Sequence, residues 1–310
     1  MKFYLSLLLL FSSFFLTRGQ TTKIIYQDSI GYPATPETFF TKRVIEFNEK
    51  ITVEKKFNAK NYLIQTTEFS DFTKKIKSGW QKTYYENGQV KSQVMYQNNL
   101  KTKRYTSYYQ NGQVKEEGDF VYDKKNKKID YLILNYYGEN GEKLIANGNG
   151  SATMDSENGT ETGRFSDGKK EGTWEGMDTR IRRSFVEEYQ AGEFVSGYTI
   201  DSLNQKIDYK KPIINLNTKN NRGIDDFYNY IIKNLSDLKY NINFYVLLQF
   251  NVTSQGKVTH VIVDNSIFPE IENKIVQLIY NYKDFIPMIV KGIPIEATFH
   301  IPVQAFSEEE

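Results

Sequence analysis

The chain has 310 residues, a formal net charge of +2 and no cysteine. No disulfide framework, thiolate metal site or cysteine nucleophile is therefore available, and no bulk charge draws the chain to nucleic acid or acidic membranes. Aromatic residues make up 15% of the chain, which suits half-exposed strands whose rings pack while tyrosine hydroxyls stay wet.

In chain order, Met1 to Gly19 reads as a targeting segment. Lys2 supplies a positive start, and Phe3 to Leu16 is almost unbroken apolar sequence. Thr17 and Gly19 place small residues at the −3 and −1 positions, so cleavage before Gln20 is expected. A membrane span needs about 20 apolar residues, and this run is shorter. The expectation is an exported, unanchored protein of the periplasm or cell envelope. From Gln20 to Ile76, alternation over Phe39–Phe47, Ile51–Phe57 and Tyr62–Phe69 predicts strands. These are expected to cap the repeats that follow, because a terminal repeat faces water on one side.

The repeats occupy residues 77–211. Tyr84-Tyr85-Glu86-Asn87-Gly88-Gln89-Val90-Lys91 returns 24 residues later as Tyr108-Tyr109-Gln110-Asn111-Gly112-Gln113-Val114-Lys115. Asn-Gly between alternating runs predicts a type I′ hairpin turn, with positive φ at both residues. Tyr136 to Leu144, with Asn140-Gly141, reads as a third copy carrying one inserted residue. Gly163 to Glu175 is a fourth, turning at Asp167-Gly168. A hairpin cannot bury its own face, so a fixed period implies stacking on neighbours. Tyr122 to Lys128 is expected to be a solvated hairpin tip, and Ala146 to Gly163 a long loop or a loosely packed hairpin. The pattern from Phe69 to Phe194 resembles the MORN family, and more closely the MORN-variant repeats of bacterial proteins related to the YwqK antitoxins. The resemblance implies a scaffold of stacked hairpins.

Polar residues 212–222 are expected to be a short tether. Beyond them, Ile224, Phe227, Tyr228, Ile231, Ile232 and Leu235 recur at helical steps. Ile242 to Val252 and Lys257 to Asp264 alternate as two strands about Thr253 to Gly256. Pro269 to Tyr282 is a second amphipathic helix, and Ile293 to Val303 a single last strand. The fold class expected is mainly β, with stacked hairpin repeats followed by a small α+β domain over 223–310.

That order resembles the C-terminal domain of TonB, which couples inner-membrane energy to outer-membrane receptors. The matching motifs are Phe244–Val252, Gly256-Lys257-Val258, Phe285-Ile286-Pro287-Met288 and Gly292-Ile293-Pro294-Ile295. The resemblance implies that the last strand presents an edge to an extended peptide. Glu296, Thr298, His300 and Ile301 are the partner-binding residues it suggests, with Pro294 and Pro302 as edge guards. It implies a protein or peptide partner, an outer-membrane receptor among them; a homodimer through this domain is a separate expectation. Energy transduction is not carried over, because the sequence has no Pro/Lys-rich spacer and Met288 replaces a small residue. An antitoxin-like or surface scaffold, in which the hairpins themselves bind, is the second expectation.

No catalytic residue is expected. His260 and His300, the only histidines, are read as polar-face residues of the sheet rather than a metal pair. Adjacent carboxylates such as Glu116-Glu117 and Glu187-Glu188 point to opposite faces of a strand. Trp80 and Trp174 are read as packing aromatics. No cofactor, metal or nucleic acid is expected.

Overall fold

The computed structural model describes residues 21–28, 33–123, 128–215, 217–218, 224–235, 244–264 and 269–305. The stretch expected as a targeting segment, residues 124–127 of the expected lysine-rich tip and part of the expected tether lie outside the described residues. The chain divides into two compact units, Met1–Asn147 and Gly148–Glu310, so the division falls inside the repeat region. No described helix is long and apolar enough to cross a membrane.

The first unit is a meander of ten strands: β1 (Thr21–Gln27), β2 (Thr41–Phe47), β3 (Thr52–Asn58), β4 (Leu63–Asp71), β5 (Ile76–Tyr84), β6 (Val90–Gln97), β7 (Leu100–Tyr108), β8 (Val114–Asp123), β9 (Lys128–Tyr137) and β10 (Lys143–Ala146). Each pairs antiparallel with the next. Alternation in the sequence puts Ile45, Phe69, Tyr96, Ile133 and Ile145 inside. Burying each such side chain contributes roughly 1.5–3 kcal/mol.

The Asn-Gly turns are not type I′. Positive φ is confined to the glycines, at 83° for Gly88, 85° for Gly112 and 81° for Gly141. Gly88 N donates to Tyr85 O at 2.9 Å, and Tyr85 N to Gln89 O at 2.9 Å. The strands shift register between Thr83 and Tyr84. This is a type I turn closed by a left-handed glycine bulge, the three-residue alternative for a hairpin. The asparagine side chain supports the turn instead of bending it: Asn87 Oδ1 accepts from Gln89 N at 3.0 Å, and Asn111 Oδ1 from Gln113 N at 2.9 Å. Type I′ geometry does occur at Asn98-Asn99, Asp167-Gly168 and Ala191-Gly192, where both residues have positive φ.

Tyrosines tie successive hairpins together. Tyr85 OH donates to Tyr108 O at 2.7 Å, and Tyr109 OH to Tyr137 O at 2.6 Å. The third copy carries no insertion in its turn. Gly138 N donates to Glu142 O, which sets Gly138 where Tyr85 and Tyr109 stand. Having no hydroxyl, Gly138 ends the ladder.

In the second unit the meander comprises β11 (Asn149–Ser156), β12 (Gly159–Ser166), β13 (Lys169–Asp178), β14 (Arg183–Gln190), β15 (Glu193–Ile200) and β16 (Lys206–Tyr209). The stretch expected as a loop or loose hairpin is thus two regular strands, paired over seven positions. Its small residues have a packing purpose. Trp174 is fully buried, and a Cβ on Gly163 would overlap its indole ring. Trp174 Nε1 also donates to Arg164 O at 3.2 Å.

The unit continues through short β17 (Ile213–Ile214) and β18 (Asn217–Thr218) to α1 (Ile224–Leu235), β19 (Phe244–Val252), β20 (Val258–Asp264), α2 (Pro269–Asn281), β21 (Phe285–Ile286), β22 (Met288–Val290), β23 (Ile293–Ile295) and β24 (Ala297–Ala305). Residues expected as a tether therefore pair with this body: β17 with β22, and β18 with β21. The expected last strand is two strands. Ile293–Ile295 pairs with β22, whereas Ala297–Ala305 pairs with β19, and Glu296 lies between them. Alternation runs unbroken through Glu296, so the pattern alone hides the change of partner. The helices bury Phe227, Ile231, Ile275 and Ile279 against Val246, Leu248 and Phe250 of β19. Four aromatic rings, Phe227, Phe250, Tyr282 and Phe285, meet with centroids 4.8 to 5.5 Å apart.

Candidate functional site

The three long strands of this body lie in the order β20-β19-β24, so β20 and β24 are its edges among the described strands. They are unlike. On β20, His260 has φ of 53° and the ladder shifts register between Gln249 and Asn251. A bulge of this kind twists an edge and hinders further pairing. β24 runs beside β19 for nine consecutive pairs, Val252↔Ala297 to Phe244↔Ala305, without a shift.

Backbone parity follows from Pro302, which stands opposite Leu247. Residues of an antiparallel strand alternately point their amide groups at the neighbour and away from it. Proline has no hydrogen to give and fits at an outward position. Thr298 and His300 share its parity, so their N–H and C=O groups project from the side of β24 opposite β19.

Side chains of the expected site divide between two faces. Thr298 and His300 are exposed, whereas Ile301 is 8% exposed and packs in the core. The Ile301 side chain is accordingly anchored inward and offers a partner only its backbone. Glu296 lies in the break before β24, where its Oε1 accepts from Asn251 Nδ2 at 2.9 Å. Thr298 Oγ1 donates to Asn251 Oδ1 at 2.8 Å. Both residues are thereby fastened to β19, which stiffens β24 against its one neighbour among the described strands. His300 pairs with Gln249, and β19 separates it from His260, so the histidines do not meet. Among the described residues no cluster of three His, Cys, Asp or Glu is placed to hold a metal.

Asn87-Gly88, Asn111-Gly112 and Asn140-Gly141 belong to the first unit, where Asn87 Nδ2 donates to Gln110 O of the next turn at 3.2 Å, and Asp167-Gly168 belongs to the second.

A buried cluster escaped sequence reasoning. Glu187, on β14, is 1% exposed. Its Oε1 accepts from Lys291 Nζ at 2.5 Å and Tyr209 OH at 2.8 Å, and its Oε2 from Tyr189 OH at 2.9 Å. Lys291 also lies 3.5 Å from the Phe185 ring centroid. Burial, then the Glu187 charge, holds both tyrosine hydroxyls above their ordinary pKa, so they stay donors. A carboxylate already holding three donors is an anchor, not a general base. One sequence signal existed: Glu187 sits at the inward parity of a strand that also buries Phe185. No local pattern marks Lys291, 104 residues away, as its partner. Comparison with known proteins finds no matching family model and no matching curated protein.

Proposed function

We propose that the protein is an exported, non-enzymatic envelope protein that captures an extended peptide or partner strand along β24, with the hairpins as its scaffold. The observation that carries this reading is an unbulged nine-residue edge strand whose Thr298 and His300 backbone groups have the outward parity. An added strand gains affinity from main-chain hydrogen bonds and specificity from alternate side chains. The TonB-like motif order in this body supports the same mode, and it makes a receptor segment a natural occupant. The MORN-like repeats then act as a rigid mount.

Selection of phage-displayed extended peptides on the full chain tests the reading. His300→Pro and Thr298→Pro are expected to abolish capture while leaving the thermal melt within a few degrees of the parent, since neither amide is used internally. Capture that survives both substitutions, or maps to the hairpins, overturns it. Loss of the fold in both variants would mean that those amides are bonded to β19, which also defeats the proposal. N-terminal sequencing of the protein recovered from cells tests export; an intact Met1 in the membrane fraction would refute cleavage before Gln20.

A further inference from the structure

The leading strands of the first unit enclose a groove of about 810 Å³, lined from β1 to β5 and by the Phe72–Lys75 turn. Its charge is one-sided. Lys23, Arg43, Lys56, Lys75 and Lys77 line it, against the single carboxylate of Glu54. Glu54 is only 4% exposed and already engaged: Arg43 Nε donates to its Oε1 at 2.6 Å, and Lys56 Nζ stands 4.0 Å from Oε2. The carboxylate therefore offsets Arg43 and leaves a surplus of positive charge. Lys23 and Lys75 are exposed, and neither forms a salt bridge among the described residues.

One wall is aromatic. Phe72 meets Phe69 edge-on at 5.2 Å and Phe47 at 5.9 Å. Phe47 keeps 36% of its surface exposed, whereas Phe69 is buried. A partly exposed ring on a buried, ring-backed support is a preformed apolar platform. The volume falls in the range of small-molecule pockets, roughly 300–1,000 Å³, which combine apolar walls with a few placed charges.

We infer that this groove binds a small organic anion, a ligand with an apolar ring or chain against Phe47 and Phe72 and an anionic head among the lysines. A bare inorganic anion would leave the aromatic wall unused, and a neutral apolar ligand would leave the lysines unanswered. The site is separate from the β24 edge, so either reading can fail alone.

Two fluorescent probes with the same aromatic body separate the terms: anilinonaphthalene sulfonate, which is anionic, and N-phenylnaphthylamine, which is neutral. On the full chain the sulfonate is expected to saturate one site, with affinity about tenfold or more above that of the neutral probe. Reversing the two exposed charges, Lys23→Glu with Lys75→Glu, should weaken the sulfonate by a similar factor. These lysines carry no described structural bond through their side chains, so the circular dichroism melt should be unchanged. Phe72→Ala should weaken both probes together. Dodecyl phosphate should displace the sulfonate, whereas inorganic phosphate at equal concentration should not. Equal binding of the two probes, indifference to the charge reversal, or equal displacement by inorganic phosphate would each overturn the inference. If the double reversal itself unfolds the chain, Lys23→Gln and Lys75→Gln measured singly replace it, and unchanged sulfonate affinity in both would be the contrary result.

Discussion

Glu116 is held where a carboxylate is costly. It lies on β8, and the Tyr131 hydroxyl donates to it. Burial pushes its pKa above the ordinary 4.5, and the Tyr131 hydrogen bond and the Lys115 charge only partly oppose this. A carboxyl raised in the folded state favours folding below its unfolded value, and that contribution is lost as pH climbs through the folded value. Glu116→Gln keeps the acceptor and removes the charge. The variant should therefore match the parent below pH 4.5 and gain on it progressively above, as read from urea midpoints across that range. A constant offset at all pH would contradict a raised carboxyl. The turn glycines allow a second test at this scale. Nothing lies within 4 Å of a Cβ added to Gly88, whose φ is 83°. Gly88→Val should cost on the order of 1–2 kcal/mol from backbone strain alone, and Gly88→Asn clearly less. Equal losses in both would point to a packing clash that the geometry excludes.

Between hairpins, the tyrosine ladder carries the coupling that a repeat array requires. Tyr85→Phe and Tyr109→Phe keep the ring and remove one hydrogen bond each, so each should cost about 0.5–1.5 kcal/mol. The double variant should cost their sum, because the two bonds share no partner. A supra-additive loss by thermal or chemical melt would mean that the two bonds reinforce one another through the Tyr108–Tyr109 peptide between them. Much of this architecture is legible in the sequence, since the 24-residue spacing and the alternating strands depend only on local pattern. The turn type is not, because Asn-Gly suits both a two-residue type I′ turn and a three-residue turn closed by glycine. Strand length and the bulge decide between them, and those are set by pairing. The third copy misleads for a related reason. Its aromatic pair, Tyr136-Tyr137, looks like the earlier pairs, yet hydrogen bonding places Gly138 in the second tyrosine's role. At the β24 edge, exposure at Thr298 and His300 follows from alternation. The separate β23 does not, because a strand may change partners without breaking its pattern.

Within the second unit, one buried ion pair joins the hairpin meander to the helix-bearing body. Glu187 belongs to β14, and Lys291 to the turn between β22 and β23, where its φ is 47°. Lys291 N also donates to Pro212 O at 2.7 Å, beside β17. The pair is supported from both sides, because Tyr209 donates to the same oxygen as Lys291 and Tyr189 to the other. Desolvating two charges makes such a pair a weak net source of stability, but removing one partner strands the other. Lys291→Met and Glu187→Gln should therefore each cost roughly 3–5 kcal/mol. The combined Glu187→Gln/Lys291→Met variant should cost well below their sum, because no charge is then left buried and the new amide oxygen still accepts from a tyrosine. Hydrogen exchange distinguishes a lock from local packing. If the pair fastens the body to the meander, Lys291→Met should raise exchange in β14 and β16 and in β22 together, while the core of α1 and β19 keeps its protection. Exchange that rises only at β22 and β23 would mean that the turn frays by itself. An additive double variant would show that Glu187 and Lys291 do not depend on one another, and the lock would then have to be sought where Tyr209 packs against Gly197 and Gly292.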